Sequence, residues 1–156
     1  LVLWLDRVAD PGNTGTLIRS ADAAGATAVV AAGGADPWGP KAVRASMGSL
    51  FSLPVLQISE DDSPDWIADL RAAGMKAVCA GPRGGAWPWL VDLTGPAVLV
   101  VGNEAQGISE ELWSLADVNV SIPNFGQAES LNVAQAATVL LFEFARQARA
   151  RETGLV

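Results

Sequence analysis

The stretch from Leu115 to Glu143, LADVNVSIPNFGQAESLNVAQAATVLLFE, decides how this chain is read. It begins as a short apolar run and breaks at Ile122-Pro123, because proline cannot donate to a sheet ladder and must end a strand or lie at its edge. A Gly- and Asn-containing loop follows, and a helix is predicted from near Ser130. Its apolar positions Ala137, Leu140, Leu141, Phe144, Ala145 and Ala148 recur at helical spacing on one face. Ser130 and Asn132 then stand at a helix start, where free backbone N–H groups gather and suit a polar ligand.

Outward from this stretch, apolar strands alternate with helices. Strands are predicted at Leu1 to Leu5, Ala28 to Ala32, Pro54 to Ile58, Lys76 to Ala80 and Ala97 to Val101. Helices are predicted at Thr14 to Ala24 after a Pro11-Gly12-Asn13 loop, within Pro37 to Ser49, at Asp65 to Ala73, and at Ser109 to Leu115 with Ser109 as cap. Gly81 to Pro96 reads as an irregular connection. The pattern indicates an α/β chain with a mostly parallel sheet covered on both faces. Ligands in such sheets bind beyond the carboxyl ends of the strands, and Asn13, Glu104 and Asn124 all follow predicted strand ends.

Composition narrows the chemistry. The 156 residues suit one domain, half of them are hydrophobic and 17% are charged. No apolar run reaches a membrane span and no signal-peptide pattern opens the chain, so the expectation is a soluble, cytoplasmic protein. The chain begins at Leu1 without methionine, which suggests a portion of a longer protein. Cys79 is the single cysteine, read as a buried core thiol. With no histidine, a zinc site is not expected and no Ser-His or Cys-His pair can form. Acid–base work falls to Asp, Glu, Lys, water or substrate. The net charge of −7 argues against a nucleic-acid binder unless a local basic cluster or a further domain supplies the missing charge. No G-x-G-x-x-G follows a strand, and in GADPWGPK, Gly34 to Lys41, proline intrudes where a phosphate loop needs a backbone donor.

Three segments carry a more specific message: DPGNTGTLIRSADAAG from Asp10, VLVVGNEAQGISEEL from Val98, and Ser121 to Phe142. In order and spacing they resemble the three motifs of the SpoU, or TrmH-type, family of RNA 2′-O-ribose methyltransferases, and KAVRASMGSLFSLP, Lys41 to Pro54, resembles a further family helix and turn. The resemblance implies a SPOUT fold with a C-terminal trefoil knot, a rare exception to the usual topology rules. It also implies S-adenosylmethionine as cofactor and a homodimer. The cofactor-binding residues implied are Leu99, Val101, Gly102, Ile122, Asn124, Gly126 and Leu131, with backbone contacts at Gly102, Ile122 and Leu131. The catalytic set implied is Asn13, Arg19, Glu104, Ser130 and Asn132. Taken singly, Asn13 reads better as a helix cap, Arg19 as a surface ion pair and Glu104 as a turn residue; the joint match of the three motifs reverses that preference.

Arginine is an awkward base, since guanidinium stays protonated. Arg19 is therefore expected to position RNA phosphate and stabilise a developing alkoxide, with Glu104 fixing Arg19 or an adjacent loop. The family usually has methionine after Ile-Pro, where this chain has Asn124, which alters loop polarity but spares backbone contacts. An N-terminal RNA-binding domain, frequent in the family, is not among these 156 residues. Arg7, Lys41, Arg44 and Arg83 are candidates for phosphate contact, and Trp38, Trp87 and Trp89 are expected to pack rather than stack on bases. The expected activity is methyl transfer to a ribose 2′-hydroxyl of rRNA or tRNA. The alternatives are an RNA-binding or assembly protein that kept the fold without turnover, and a small-molecule or dinucleotide enzyme on an open sheet.

Overall fold

The computed structural model describes residues 1–82 and 84–154. Six strands, β1 (Val2–Asp6), β2 (Ala28–Ala32), β3 (Val55–Ile58), β4 (Lys76–Ala80), β5 (Ala97–Gly102) and β6 (Val118–Val120), form one sheet in the order β3-β2-β1-β5-β4-β6. Every neighbouring pair is parallel. Among the described residues five α-helices connect or cover them: α1 (Pro11–Ala24), α2 (Pro40–Ala45), α3 (Ser63–Ala72), α4 (Glu110–Ser114) and α5 (Val133–Thr153).

Alternation along the strands sorts side chains to two faces. Leu3, Leu5, Val29, Leu99 and Val101 pack with Leu17 and Ile18 of α1 and Leu140, Leu141 and Phe144 of α5. Trp4, Val30, Val98 and Val100 point the other way, against Ile67 of α3, Leu112 of α4 and Cys79. The central strands are buried on both sides, which is why they read as continuous apolar runs. The Cys79 thiol is buried as expected, and burial followed by the charge of Asp6 pushes its pKa up to about 12.

Some boundaries differ from expectation for local reasons. Pro11, Gly12 and Asn13 are not a loop but the first turn of α1. Asp10 caps the helix by accepting from Asn13 N at 2.9 Å, and proline fits at a position that needs no donor. The last helix begins at Val133 rather than Ser130, and Asn132 is its cap. Its apolar stripe ends at Phe144: Ala145 is only partly buried and Ala148 is exposed. Trp38, Trp87 and Trp89 are about half exposed rather than packed, and Trp87 meets Trp89 and Phe125 with ring centroids 5.8 and 6.3 Å apart.

One piece of topology positions the site. On one edge β6 pairs with β4, and Gly81 N donates to Val120 O at 3.0 Å. On its other edge Ala86 N donates to Asn119 O and Ser121 N donates to Ala86 O. Gly81 and Ala86 therefore lie on opposite edges of β6 where the chain leaves the sheet. Gly85 allows this approach, since a Cβ there would fall on the backbone of Val120 and Ser121. Among the described residues no helix is long and apolar enough to cross a membrane.

Candidate active site

The carboxyl ends of β4, β5 and β6 open onto a cavity of about 630 Å³, walled by the loop after β5 and by the segment leading into α5. That size suits a small organic ligand. Val101, Ile108, Trp113, Ile122, Leu131, Val133 and Leu140 supply an apolar lining, with Asn103, Glu104, Ser130 and Asn132 as polar groups. No lysine or arginine lines it among the described residues.

The three motifs meet through hydrogen bonds. The Glu104 carboxylate accepts from Asn13 Nδ2 at 2.9 Å, Asp10 N at 3.2 Å and Ala9 N at 3.0 Å. Asn13 Oδ1 accepts from Asn132 Nδ2 at 3.2 Å, and Asn132 Oδ1 accepts from Ala134 N and Gln135 N to cap α5. Burial disfavours the Glu104 charge, but the bonds from Asn13, Ala9 and Asp10 outweigh it and hold the carboxyl below its usual range. An ionised carboxylate with both oxygens engaged is a tie between segments and a poor proton acceptor. The Ser130 hydroxyl makes no hydrogen bond among the described residues and is free to meet a ligand.

Several expectations need correction. Asn132 takes up two of the N–H groups at its own helix start, those of Ala134 and Gln135. Of the two partners expected for Glu104, it is the adjacent loop, Ala9–Asp10 with Asn13, that it fixes, and not Arg19. Arg19 lies on the exposed side of α1, outside the cavity, and makes no side-chain hydrogen bond or ion pair among the described residues. Of the residues implied for the cofactor, Val101, Gly102, Ile122, Asn124 and Leu131 line the cavity. Leu99 does not; it is fully buried in mid-strand, paired in register with Leu3 and Val78. Gly126 does not either; it is exposed with open space around it. Asn124 donates to Ala128 O and Glu129 O, closing its own loop beside Ser130. Arg7 and Lys41 are engaged, with Asp6 and Asp10 respectively, and Arg83 lies outside the described residues.

Ala80 to Pro82 also line the cavity and had no signal as site residues, because only β4–β5 and β4–β6 pairing brings them there; Asn103 and Gln106 to Ile108 line it from within the second motif. A Cβ at Gly102 would fall on the backbone of Gly107 and Ile108, so glycine is required there by chain packing before any ligand is considered.

Residues 1–142 match the model of the SpoU rRNA Methylase family. The chain belongs to the SpoU family. It is 47% identical over 151 residues to the 23S rRNA (uridine(2479)-2′-O)-methyltransferase of Streptomyces viridochromogenes, covering 94% of this chain and 53% of that protein. It is 42% identical over 142 residues to the 23S rRNA (guanosine(2553)-2′-O)-methyltransferase RlmP of Bacillus subtilis, covering 90% and 56%. The crystal structure of the SpoU methyltransferase AviRb from Streptomyces viridochromogenes in complex with AdoMet superposes with a TM-score of 0.86 at 44% identity, covering 94% of this chain and 57% of that one. The chain thus spans about half the length of these SpoU relatives.

Proposed function

We propose that this chain is the catalytic domain of a longer RNA 2′-O-ribose methyltransferase that uses S-adenosylmethionine and acts on rRNA or tRNA in the cytoplasm. The observation that carries the reading is the Glu104–Asn13–Asn132 relay, which joins three distant segments at one cavity. The AdoMet complex of the SpoU relative supports the cofactor, and the 2′-O-methyltransferase relatives support the reaction. The bonding of Gly81 and Ala86 to opposite edges of β6 supports the trefoil knot.

The cavity fits the cofactor's chemistry. Its apolar walls suit an adenine, and the lack of lysine or arginine among its described lining residues leaves a cationic ligand unrepelled. Backbone at Gly102, Ile122 and Leu131 would hold the cofactor, with Val101 and Asn124 as walls. When bound it supplies a methyl group on a positively charged sulfur. Ser130, Asn13 and Asn132 orient the ribose so that its 2′-oxygen is aligned for attack. As the carbon–oxygen bond forms, the hydroxyl proton must leave. Glu104 is occupied by its donors and Arg19 is already protonated, so the proton passes to water or an RNA phosphate. Arg19, free on the surface of α1 and outside this cavity, positions that phosphate. The half-exposed Val139 and Phe142 of α5 support a homodimer through that helix.

Calorimetric titration with S-adenosylmethionine, against a nicotinamide dinucleotide control, tests the first half. Transfer of a radiolabelled methyl to rRNA or tRNA transcripts by the full-length parent tests the second. Binding plus label at a ribose 2′-oxygen is expected. Cofactor binding without transfer, or no binding by the folded protein, would favour a non-catalytic RNA-binding protein. Binding of the dinucleotide alone would overturn the reading.

A further inference from the structure

The end of β1 carries an arrangement that the proposed reaction does not use. Asp6 is buried, with 1% of its surface exposed, and Arg7 beside it adopts a left-handed backbone at φ 55°, a conformation unfavourable for any side chain with a Cβ. Strain of this kind persists where surrounding contacts over-determine it.

Those contacts all lead to one place. Arg7 Nε and Nη2 donate to the two Asp6 carboxylate oxygens at 3.1 and 3.2 Å, and the Asp6 hydrogen bond holds the guanidinium pKa above its usual value. Arg7 Nη1 donates to Gln106 Oε1 at 3.0 Å, and Nη2 reaches Gly107 O at 3.4 Å. The Arg7 carbonyl accepts from Asn103 Nδ2 at 2.8 Å, and Asp6 Oδ2 accepts from Ser109 N at 2.7 Å. Between these anchors the loop closes on itself. Ala105 N and Gln106 N donate to Asn103 Oδ1, and Asn103 and Gly107 exchange backbone bonds. Residues 102 to 108 form one wall of the cavity.

We propose that Asp6 and Arg7 are positioning residues that hold the Asn103–Ser109 wall in its ligand-binding shape from beneath, without touching the ligand. This rests on the reading of the cavity as the cofactor pocket. The left-handed turn at Arg7 aims its carbonyl at Asn103 while its guanidinium bridges Asp6 and Gln106. A glycine would make the turn without strain but would supply no guanidinium.

That contrast gives the test. Arg7→Gly relieves the backbone and frees the wall, and Gln106→Ala removes one anchor while leaving the turn intact. Both are measured in this chain by S-adenosylmethionine titration, thermal unfolding and amide hydrogen exchange. The expected result for Arg7→Gly is a Kd raised about tenfold by the loss of charge-assisted bonds, with a smaller rise for Gln106→Ala. Arg7→Gly also strips the buried Asp6 carboxylate of its partner and should lower the melting temperature, whereas Gln106→Ala should change it little. Exchange should accelerate at Ala105, Gln106, Gly107 and Ser109 and not elsewhere in the sheet. A purely structural role would leave the Kd of the folded fraction unchanged in both variants, whatever the melting temperature. Kd values within about twofold of the parent in both variants, or unchanged exchange across the wall, would overturn the proposal. If the unmodified chain takes up no S-adenosylmethionine, the cofactor reading fails, and hydrogen exchange alone decides the role of Asp6 and Arg7.

Discussion

Replacing Glu104 by glutamine separates a structural tie from a catalytic base. The carboxylate accepts three donors, Asn13 Nδ2, Asp10 N and Ala9 N. Glutamine has one oxygen, so with Oε1 kept toward Asn13 and Asp10, its Nε2 faces the Ala9 N–H, donor against donor. Hydrogen bonds to a charged group are worth about 1.5–3 kcal/mol, and solvent at this exposed site reduces that to about 1–2 kcal/mol. At roughly 2.1 cal/mol/K per residue, a chain of 156 residues loses about 3–6 °C of melting temperature for that cost.

The pH dependence follows from the direction of the shift. Burial raises the Glu104 pKa, the hydrogen bonds led by Asn13 lower it by more, and the net folded value lies below the ordinary 4.5. The tie is therefore at full strength above pH 4.5 and is lost as pH falls through the lower folded value. Scanning calorimetry of the parent and Glu104→Gln should show the full gap at pH 7 and its progressive closure below pH 4.5. A gap that persists in acid, or no gap at pH 7, would refute the argument. So would abolished turnover in a variant with unchanged stability and cofactor affinity, because that is the signature of a base.

Asn132 has two separable jobs. Asn132→Ala should cost about 1 kcal/mol as a lost α5 cap, while Asn132→Asp should keep the cap and its melting temperature yet lose the donor to Asn13 and weaken turnover. In Arg19→Lys, methyl transfer by the parent should fall about tenfold or more with cofactor affinity unchanged, since a point charge does not replace a planar fork; near-normal turnover would exclude a role for that fork. Gly102→Ala should destabilise by about 1–3 kcal/mol or more, read by denaturant titration, because the added carbon meets backbone that cannot yield. The Cys79 thiol, with its pKa pushed up to about 12, should resist alkylation at pH 8 in the folded state and react on unfolding.

The sequence by itself determined the elements and their class. Apolar runs at β1, β2, β4 and β5 are unambiguous because strands buried on both faces tolerate little polarity, and helical spacing marked α1 and α5. It also marked Asn13, Glu104 and Asn132 as belonging together, although only as a pattern of three segments. The tertiary structure decided what each does. Asn13 and Glu104 are 91 residues apart and Asn13 and Asn132 are 119 apart, so their roles depend on strand order, which local propensity does not encode. The same non-local pairing removes Leu99 to the core, leaves Arg19 on the surface and turns Gly102 into a packing requirement. It also recruits Asp6 and Arg7, whose sequence context is an ordinary strand end, to brace the loop after β5. Periodicity reports which face of an element is buried; which elements meet across the sheet is decided by the packing of the whole chain.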